Sequence, residues 1–475
     1  MIRITPKGKQ KDVMALPTEG HFIVLGTAGS GKTNIAILRS IHLANLNSKN
    51  KVLLVTFNKA LVKYMRELSG DIPSNLIVEN YHRFATGYMH YREKLPGSNG
   101  IIKAKEKAEL ISQAVSLCSL YHPNESTFKR PIEFFIDEIN FIEKFGFRSF
   151  EEYHKTERIG RSSANIKREN RKWTFEAYER YLKLRKERGY LYDFEDLALY
   201  VDNELQSDPD PRRYTHIVVD EGQDFSPMMI RSLVKAVGDG GSFTFFGDVA
   251  QQIYGSRLSW RDSGIASEKI WRFDINYRNP ETITNFAKEL TLNRYWQKND
   301  DIILSVESYA KGPKPLLVAF SERKKETDWF IKRAIAESGK SSVGIILRRR
   351  SQIDEIYDKI SQSGGSVAII SGDFCDGLQN KVVYLTTFHA AKGLEFENVF
   401  IPYLSDDEFP DGEAFDNALS EDEAYSNELK LLYVGVTRSK FGLFMTYTDK
   451  PSALLPTDRA SCTFIDHREA RNDAV

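Results

Sequence analysis

Eight residues with the pattern G-x-x-x-x-G-K-T, at positions 26–33, are the clearest chemical signal in the sequence. They follow an apolar run at 21–25, typical of a buried strand, and precede a helix-like run at 34–39. In this setting backbone amides and a helix N-terminus converge on a polyphosphate. The pattern predicts a nucleotide site in which Lys32 contacts the β and γ phosphates and the Thr33 hydroxyl binds Mg²⁺. The predicted nucleotide-binding residues of this loop are Gly29, Ser30, Gly31, Lys32, Thr33 and Asn34.

A pair of adjacent carboxylates is the second signal. Asp220 and Glu221 follow the run 216–219, so they stand at the carboxyl end of a predicted buried strand. Asp220 can bind Mg²⁺, and Glu221 can polarise an attacking water. An acidic pair in a loop means little alone. Combined with the phosphate loop, it predicts hydrolysis of a nucleoside triphosphate.

Four further side chains could serve the same site. Gln10 lies sixteen residues before Gly26, where its amide could read an adenine edge, although a lone Gln is usually solvated. Gln251 follows another predicted strand and could orient water or contact the γ phosphate. Tyr277 and Arg278 place a flat ring beside a guanidinium, which could stack on a base and bind a phosphate.

Phe57 ends a second predicted strand, 51–57. It could pack in the core or, at a strand end beside Lys59, stack on a nucleic-acid base. From the residues alone, the core interpretation is favoured.

A basic and aromatic stretch, 155–188, contains twelve Lys or Arg side chains against five acidic ones. Such a stretch is most often a solvated helix face, but it can also bind a phosphate backbone through release of counterions. The candidate contacts are Arg168, Arg171 and Lys172. Both interpretations stay open at the level of the residues.

The elements that must position these residues alternate between strand and helix. This alternation predicts a parallel sheet with ligands at the carboxyl ends of its strands. From about 90 to 190 the pattern is helical, which indicates an inserted α-helical subdomain. At 475 residues the chain needs more than one core.

Composition excludes several classes of protein. Lys and Arg together number 66, as do Asp and Glu, so a nucleic-acid footprint must be local. The three cysteines are far apart in the sequence, which argues against a disulfide framework or a zinc ribbon. No apolar run approaches the ~18 residues of a membrane span. We therefore expect a soluble, cytoplasmic protein that contacts no membrane.

The motifs, taken in order, resemble those of superfamily 1A helicases of the UvrD/Rep group. They span residues 10 to 440 and read GTAGSGKT, TFNKA, NYH, YDFEDL, IVVDEGQD, FGDVAQQIYGSR, INYRN, TTFHAAKGLEF and LLYVGVTRSK. The resemblance implies an α/β protein in which two RecA-like P-loop domains with parallel sheets hold ATP between them. It also implies single-stranded DNA bound across both domains, with 3′-to-5′ polarity.

The resemblance also implies residue roles. At the ATP site it assigns adenine recognition to Gln10 and Tyr277, phosphate and Mg²⁺ contacts to Lys32, Thr33 and Asp220, catalysis to Glu221, Gln251, Arg278 and Arg438, and the ribose to Glu395. It places along the DNA Phe57, His82, Tyr254, Arg257, Thr387 and His389. For Phe57 the resemblance reverses the preference for a core role.

The chain departs from the family in its second half. Family members usually carry a large helical insertion, called 2B, between the motifs matched here at Arg348 and Thr387, yet only 38 residues separate these two. The predicted parts are therefore residues 1–90 and 193–275 for the first RecA-like domain, called 1A, 91–192 for the inserted helical subdomain, called 1B, and 276–475 for the second RecA-like domain, called 2A, with little or no 2B.

Two smaller departures concern Ser256 and an acidic segment. Ser256 stands where the family commonly has a base-stacking Trp; Trp260 could replace it, although a packed core Trp is the more usual role. Residues 406–428 hold ten acids and no Lys or Arg. We expect that segment to be a mobile, solvated loop that repels DNA, or a surface on which a partner docks.

These features predict an ATP- and Mg²⁺-dependent single-stranded DNA translocase or helicase, acting on single strands or tailed duplexes. The alternative is a nucleic-acid-stimulated ATPase that serves as a switch or sensor for a partner nuclease or a defence or repair effector, without productive unwinding. The short second half and the acidic segment motivate this alternative.

Overall fold

The computed structural model describes residues 5–56, 62, 73–95, 97, 100–156, 166–209, 213–248, 260, 263–296, 305–370, 379, 381–417, 420–456 and 460–468. Four predicted site residues, Phe57, Gln251, Tyr254 and Arg257, lie outside these ranges. Among the described residues, no helix is both long and apolar enough to cross a bilayer.

Helices and strands alternate along most of the chain. The helices are α1 Lys9–Met14, α2 Lys32–Leu46, α3 Tyr81–Tyr91, α4 Ala104–Tyr121, α5 Ile132–Phe145, α6 Phe150–Lys155, α7 Arg171–Glu187, α8 Leu197–Ser207, α9 Pro227–Lys235, α10 Glu281–Leu290, α11 Arg323–Ser338, α12 Arg350–Gln362, α13 Gly412–Asn417 and α14 Glu421–Val436. The strands are β1 Gly20–Gly26, β2 Val52–Thr56, β3 Leu76–Asn80, β4 Tyr214–Asp220, β5 Val237–Gly247, β6 Ile270–Phe273, β7 Ile275–Pro280, β8 Glu307–Ala310, β9 Leu316–Phe320, β10 Val343–Leu347, β11 Ser366–Ile369, β12 Val382–Thr387, β13 Phe396–Ile401, β14 Ser439–Thr448 and β15 Thr463–Asp466.

The first sheet has six parallel strands in the order β3-β2-β4-β5-β1-β6. Both faces of this sheet are covered, which explains why its strands read as continuous apolar runs. Successive residues of β1 pack into different cores: Ile23 and Leu25 lie in one, and Val24 lies in the other. The carboxyl ends of β1 and β4 meet at one edge of this sheet, where the predicted phosphate loop and carboxylate pair begin.

Helices α4 to α7, which lie between β3 and β4 in the sequence, build a separate core, whereas α3 and α8 pack against the first sheet. Helix α5 buries Phe135, Ile139 and Ile142 completely, at the spacing of one helix face. These side chains pack with residues of α4 and α7 in a single cluster. The described residues between 90 and 190 are therefore mostly helical, as the pattern predicted.

The second sheet has seven strands in the order β11-β12-β10-β13-β14-β9-β15, all paired in parallel. A short pair of strands, β7 and β8, stands between the two sheets in the sequence. Among the described residues between β10 and β12, the regular elements are α12 and β11. Two parallel sheets and an inserted group of helices confirm the predicted fold class of two RecA-like domains.

The acidic segment 406–428 differs from the prediction. Asp411 and Glu428 are buried, and each forms an ion pair with an arginine. Arg349 lies 2.6 Å from Asp411, and Arg348 lies 2.8 Å from Glu428. Because burying an unpaired carboxylate is costly, these arginines explain why acids lie inside the second half. The expectation of a solvated loop is therefore wrong for this part of the segment.

Candidate active site

The phosphate loop connects β1 to α2 and depends on its glycines. Gly29 and Gly31 have φ of 73° and 83°, which favours residues without a side chain. The surroundings are equally restrictive: a Cβ on Gly29 would lie 2.2 Å from Oδ1 of Asn276, and one on Gly31 would lie 2.9 Å from Nε2 of Gln10. The loop is therefore packed between the N-terminal helix and strand β7.

Lys32 is buried at the first position of α2. Its Nζ donates to the carbonyl oxygens of Gly26 and Thr27, at 2.9 and 2.8 Å, and lies 3.4 Å from Oδ2 of Asp248. Phosphate oxygens are charged acceptors and therefore stronger partners for an ammonium than carbonyls are. Lys32 already lies at the position from which it can contact a polyphosphate held in the loop.

Asp220 is a buried carboxylate at the end of β4. Within the described residues, neither of its oxygens accepts a hydrogen bond. Burial, followed by the charge of Glu221, raises the pKa of Asp220 to about 7, while the Thr33 hydroxyl and the Lys32 ammonium act in the opposite direction. The Asp220 carboxylate therefore has unused acceptor capacity and lies beside the Thr33 hydroxyl.

Glu221 follows in a left-handed conformation with φ of 52°. Its Oε2 accepts a hydrogen bond of 2.6 Å from Nε2 of Gln223. Burial raises the pKa of Glu221, but the charges of Lys32 and Lys392 outweigh burial, so that the pKa lies below its ordinary value. Glu221 is therefore held ionised, as an acceptor of a proton from water must be.

The Thr33 hydroxyl and Asp220 fit a magnesium ion. Mg²⁺ binds hard oxygen ligands and commonly takes one or two carboxylates together with water and phosphate oxygens. The orphaned oxygens of Asp220 supply a negative group with unused acceptor capacity in this position. The predicted metal ligands Thr33 and Asp220 are thus brought together.

Strand β7, which leads to the second sheet, lies directly against the phosphate loop. The backbone amide of Tyr277 donates to the carbonyl of Gly29 at 2.9 Å. The guanidinium of Arg278 forms an ion pair with Glu395, which also lies 3.1 Å from Nζ of Lys440. Burial raises the pKa of Glu395, but the charge of Arg278 outweighs it and holds this pKa below its ordinary value.

Arg438 is buried at the start of β14. Its Nε donates to the carbonyl of Val434 at 3.0 Å. Burial and the nearby charge of Arg278 lower the pKa of Arg438 to about 10, and the charge of Glu221 acts in the opposite direction. Arg438 therefore faces Glu221 and Asp248 at the strand ends of the first sheet, whereas Arg278 is paired with Glu395 of the second half.

Gln10 lies on α1, beside the phosphate loop. Its Nε2 donates to the carbonyl of Ser30 at 2.9 Å, and its Oε1 accepts from the amide of Lys7 at 2.9 Å. A primary amide carries two donors and two acceptor lone pairs, so one of each remains for a base edge. The predicted partner in base recognition, Tyr277, is nearby because its ring centroid lies 5.8 Å from Nζ of Lys7.

Several residues near the phosphate loop, between the two halves of the chain, were not predicted from the sequence. Tyr309, on β8, stacks against Tyr277 with ring centroids 5.7 Å apart, and a tyrosine on a short polar strand gives no signal. Asp248 directly follows β5 and Asp220 ends β4, so the same strand-end reasoning could have found Asp248. Lys392 forms an ion pair with Asp224, and this pairing is invisible in the sequence because 168 positions separate the two.

The residues predicted to contact nucleic acid are distributed over both halves. His82 is the second residue of α3, and its ring centroid lies 5.1 Å from that of Phe194. Thr387 ends β12, where its hydroxyl accepts from the amide of Ala390, and His389 follows in the same turn. Burial, with the charges of neighbouring cations, lowers the pKa of the His389 ring, which favours the neutral form.

Trp260 packs edge-on against Phe245, with ring centroids 5.0 Å apart, and joins the core of the first sheet. This packing is what the core interpretation of Trp260 expects. It does not support a base-stacking role that replaces the missing Trp at position 256.

The basic stretch divides into two groups. Arg168 and Lys172 are exposed, and Lys172 lies over the ring of Trp173 with Nζ 4.4 Å from the centroid. Arg171, by contrast, is buried, and its Nη1 donates to the carbonyls of Tyr153, His154 and Thr156 at 2.8 to 2.9 Å. The prediction that Arg171 contacts nucleic acid is wrong, because its guanidinium is enclosed by the helical core and bound to backbone.

Known proteins with similar sequences are named as helicases. A Mycoplasma pneumoniae protein named "Probable DNA helicase" is 23% identical over 90% of this chain and 80% of its own length. The DNA helicase II proteins of Salmonella typhimurium and Escherichia coli are each 26% identical, over 60% and 58% of this chain. The chain matches only 40% and 37% of the length of these two relatives.

Profiles of two domains match most of the sequence. The UvrD/REP helicase N-terminal domain matches residues 7–266, and the UvrD-like helicase C-terminal domain matches residues 367–450. The first match alone covers more than half of the 475 residues. These matches confirm the resemblance drawn from the motifs, and the chain belongs to the UvrD/REP helicase family.

Proposed function

We propose that the protein is an ATP-driven translocase that moves along single-stranded DNA with 3′-to-5′ polarity and unwinds tailed duplexes. The observation that carries this proposal is the opposition of charged groups across the cleft. Glu221 from the first sheet and Arg438 from the second half are close enough that each shifts the pKa of the other. An ATP bound at the phosphate loop would lie between them.

In this proposal each side chain acts where charge develops during phosphoryl transfer. Lys32 binds the β and γ phosphates, and Glu221 orients the attacking water and accepts its proton. Arg278 and Arg438 stabilise the charge on the transferred group from the other side. Mg²⁺, held through Thr33 and Asp220, supplies neutralisation of the phosphate oxygens when bound.

The coupling of ATP hydrolysis to movement along DNA is supported by the closeness, in the sequence, of residues predicted to contact DNA and a residue predicted to contact ATP. Thr387 ends β12, and the segment that follows carries His389 and Glu395, so that DNA and nucleotide would both contact one short segment of the chain. ATP favours a closed cleft because Arg278 and Arg438 bind its γ phosphate from the second domain. Hydrolysis removes these contacts, so the cleft opens again. Alternate grip by the two domains then converts each hydrolysis into a step along the strand.

Glu221→Gln is the direct test of this active site. The substitution keeps the shape of the side chain but removes the proton acceptor, so we expect turnover to fall by about 10³-fold, equivalent to ~4 kcal/mol of barrier. ATP-dependent binding to single strands should remain. Steady-state hydrolysis and fluorescence anisotropy with labelled oligonucleotides measure the two effects, and Glu397→Gln, an exposed site, is the matched control. Turnover equal to that of the control would contradict the assigned role.

The alternative function, a strand-stimulated ATPase switch, is motivated by the short connection between β10 and β12. The names of the relatives support the helicase proposal instead. Strand displacement on duplexes with 3′ and with 5′ tails, run beside ATPase measurements, separates the two. Displacement from 3′ tails supports the proposal, whereas stimulated ATPase without displacement supports the switch.

A further inference from the structure

Arg39 is a fully buried cation behind the nucleotide site. It lies on α2, seven residues after Lys32, so two helical turns separate it from the phosphate loop. Its guanidinium donates hydrogen bonds to five acceptors, which are Thr244 Oγ1 at 3.2 Å, Val13 O at 3.4 Å, Met14 O at 3.5 Å, Leu16 O at 3.2 Å and Pro17 O at 2.8 Å.

These acceptors are unusual partners for a buried guanidinium. Four are backbone carbonyls and one is a hydroxyl, and none of these five is a carboxylate. Burial accordingly lowers the pKa of Arg39 to about 10. Because a buried cation is costly without a countercharge, the position must be fixed by the carbonyls that surround it.

The carbonyls belong to the end of α1 and to the segment that follows it. The last carbonyls of a helix have no partner within the helix, and a cation is a favourable donor to them. Arg39 therefore fastens the carboxyl end of α1, at residues 13–17, to the middle of α2. Near the amino end of α1, Lys9 forms an ion pair with Asp274 at 2.8 Å, but that pair is largely exposed.

Helix α1 carries Gln10, whose amide reaches the phosphate loop at Ser30. Helix α2 is thus connected both to the residues that bind the phosphates and to the segment that recognises the base. Its first residue, Lys32, lies at the phosphate end, and Arg39 holds the segment that presents Gln10 at the base end. Because a helix is rigid over two turns, this attachment fixes the segment that carries Gln10, and the Gln10–Ser30 hydrogen bond then completes its placement beside the phosphate loop.

We propose that Arg39 is a positioning residue for base recognition, which fixes Gln10 at the distance from the phosphate loop that an adenine nucleotide requires. The inference rests on the proposed ATP-dependent function and deepens it, since it assigns base selectivity to a side chain that touches only the protein. Weakening the attachment loosens the segment that carries Gln10, which is then held to the loop mainly by its bond to Ser30, but leaves Lys32 and the loop in place. The loss must therefore fall on the base and not on the phosphates.

The test measures binding of ATP, GTP and inorganic tripolyphosphate to the full chain by calorimetry. For Arg39→Lys, which keeps the charge but loses the planar fork, we expect the preference for ATP over GTP to fall about tenfold, the effect of losing one well-placed hydrogen bond. Tripolyphosphate affinity should stay within about twofold, because it depends on the phosphate loop alone. Equal loss for all three ligands would overturn the proposal, as would a wild-type protein without preference for ATP.

Two less disruptive variants test the same attachment if Arg39→Lys fails to fold. Thr244→Val removes one acceptor of Arg39, and Thr244→Ser retains the hydroxyl as the matched control. Valine should lower the ATP preference, and serine should not. A preference unchanged in both Thr244→Val and Arg39→Lys contradicts the proposal.

A double-mutant cycle with Gln10→Ala identifies the route of the effect. If Arg39 acts through Gln10, then Arg39→Lys should cause no further loss of ATP preference once Gln10 is alanine. Additive losses would overturn this route. The outcome is separate from that of the proposed function, because a protein that prefers ATP but is not stimulated by DNA would refute translocation and leave this inference intact.

Discussion

Two buried aspartates, one in the cleft and one at the base of the inserted helices, have opposite surroundings. Within the described residues no hydrogen bond of ordinary geometry reaches the Asp220 carboxylate, although the Thr33 hydroxyl is close enough to lower its pKa. Asp193 is equally buried, yet it accepts from the Tyr181 hydroxyl at 2.8 Å and lies 2.9 Å from Nζ of Lys107 and 3.3 Å from Nη1 of Arg185.

The pKa values follow these surroundings. Burial raises both, but for Asp193 the charges of Lys107 and Arg185 outweigh burial and hold its pKa far below the ordinary value. For Asp220 the pKa rises to about 7. A buried carboxylate that is paired with its own cations holds neighbouring helices together, whereas one without such partners has the unused acceptor capacity of an ion-binding group.

The same contrast explains a cluster that resembles a metal site. Carboxylate oxygens of Glu143, Asp193 and Asp196 lie within 4.8 Å of one another. Lys107 pairs with Glu143 at 2.6 Å and Arg185 with Asp196 at 2.5 Å. The cluster thus already holds two cations, so it joins α4, α5 and α7 to the start of α8 and needs no metal.

The largest expected effect follows from Asp220→Asn. Removal of a metal ligand should lower turnover by about 10³-fold, or ~4 kcal/mol of barrier. The thermal midpoint should stay the same or rise, because an unpaired buried charge disappears. Scanning calorimetry with and without Mg²⁺, beside ATPase assays, measures both, with the exposed Asp239→Asn as control. Strong destabilisation without Mg²⁺ would show that Asp220 stabilises the fold as Asp193 does, which would contradict its assignment as a metal ligand.

Asp193→Asn should have the reverse profile. Removing one partner of a buried charge network leaves Lys107 and Arg185 undercompensated, so we expect the free energy of unfolding to fall by about 3–5 kcal/mol. Urea denaturation measures this loss. The partly exposed neighbour Glu195→Gln should change stability by no more than ~0.5 kcal/mol. If Asp193→Asn lowers the free energy of unfolding no more than Glu195→Gln does, then Asp193 does not hold these helices together.

The smallest effect concerns pH. Burial, followed by the charge of Asp193, raises the pKa of Asp196 to about 7, from an ordinary value of 3.8. The folded state therefore holds a proton that the unfolded chain has released, and this stabilisation is complete below about pH 4 and lost as the pH rises through 7. Between pH 6 and 8 the free energy of unfolding should fall by ~1 kcal/mol.

Asp196→Asn should reduce that slope. Glu143, whose pKa burial also raises, leaves a residual dependence on pH. Both proteins should carry Asp220→Asn, because Asp220 titrates in the same range. Urea denaturation at four pH values gives the slopes. Identical slopes for the two proteins would show that Asp196 releases its proton at an ordinary pH.

Much of the candidate site could be proposed from the sequence because it rests on local patterns. The glycine spacing at 26–33 and the acids after the run 216–219 require only that a strand precede them, and the apolar runs indicated those strands. Gln10, Tyr277 and Arg438 were placed by resemblance, since no local pattern connects such distant positions. Asp248 lay within reach of the same strand-end reasoning.

Predictions failed where exposure decided the role. Arg171 and Arg168 are three positions apart and equally basic, yet one binds backbone carbonyls in the helical core and the other is exposed. Likewise, Asp411 and Glu428 are buried although their segment is among the most acidic in the chain. A charge pattern records how many charges a helix carries, but not which of them meet a countercharge from another element.

The sequence by itself determined the phosphate loop, the carboxylate pair, the two-sheet fold and the family, because these depend on short-range spacing and strand periodicity. Only the tertiary structure decided which buried charges are satisfied. Asp193 and Asp220 are both acids next to apolar runs, and nothing local distinguishes them. Their difference arises from Lys107 and Arg185, which reach Asp193 from two other helices, and from the absence of such donors at Asp220 among the described residues.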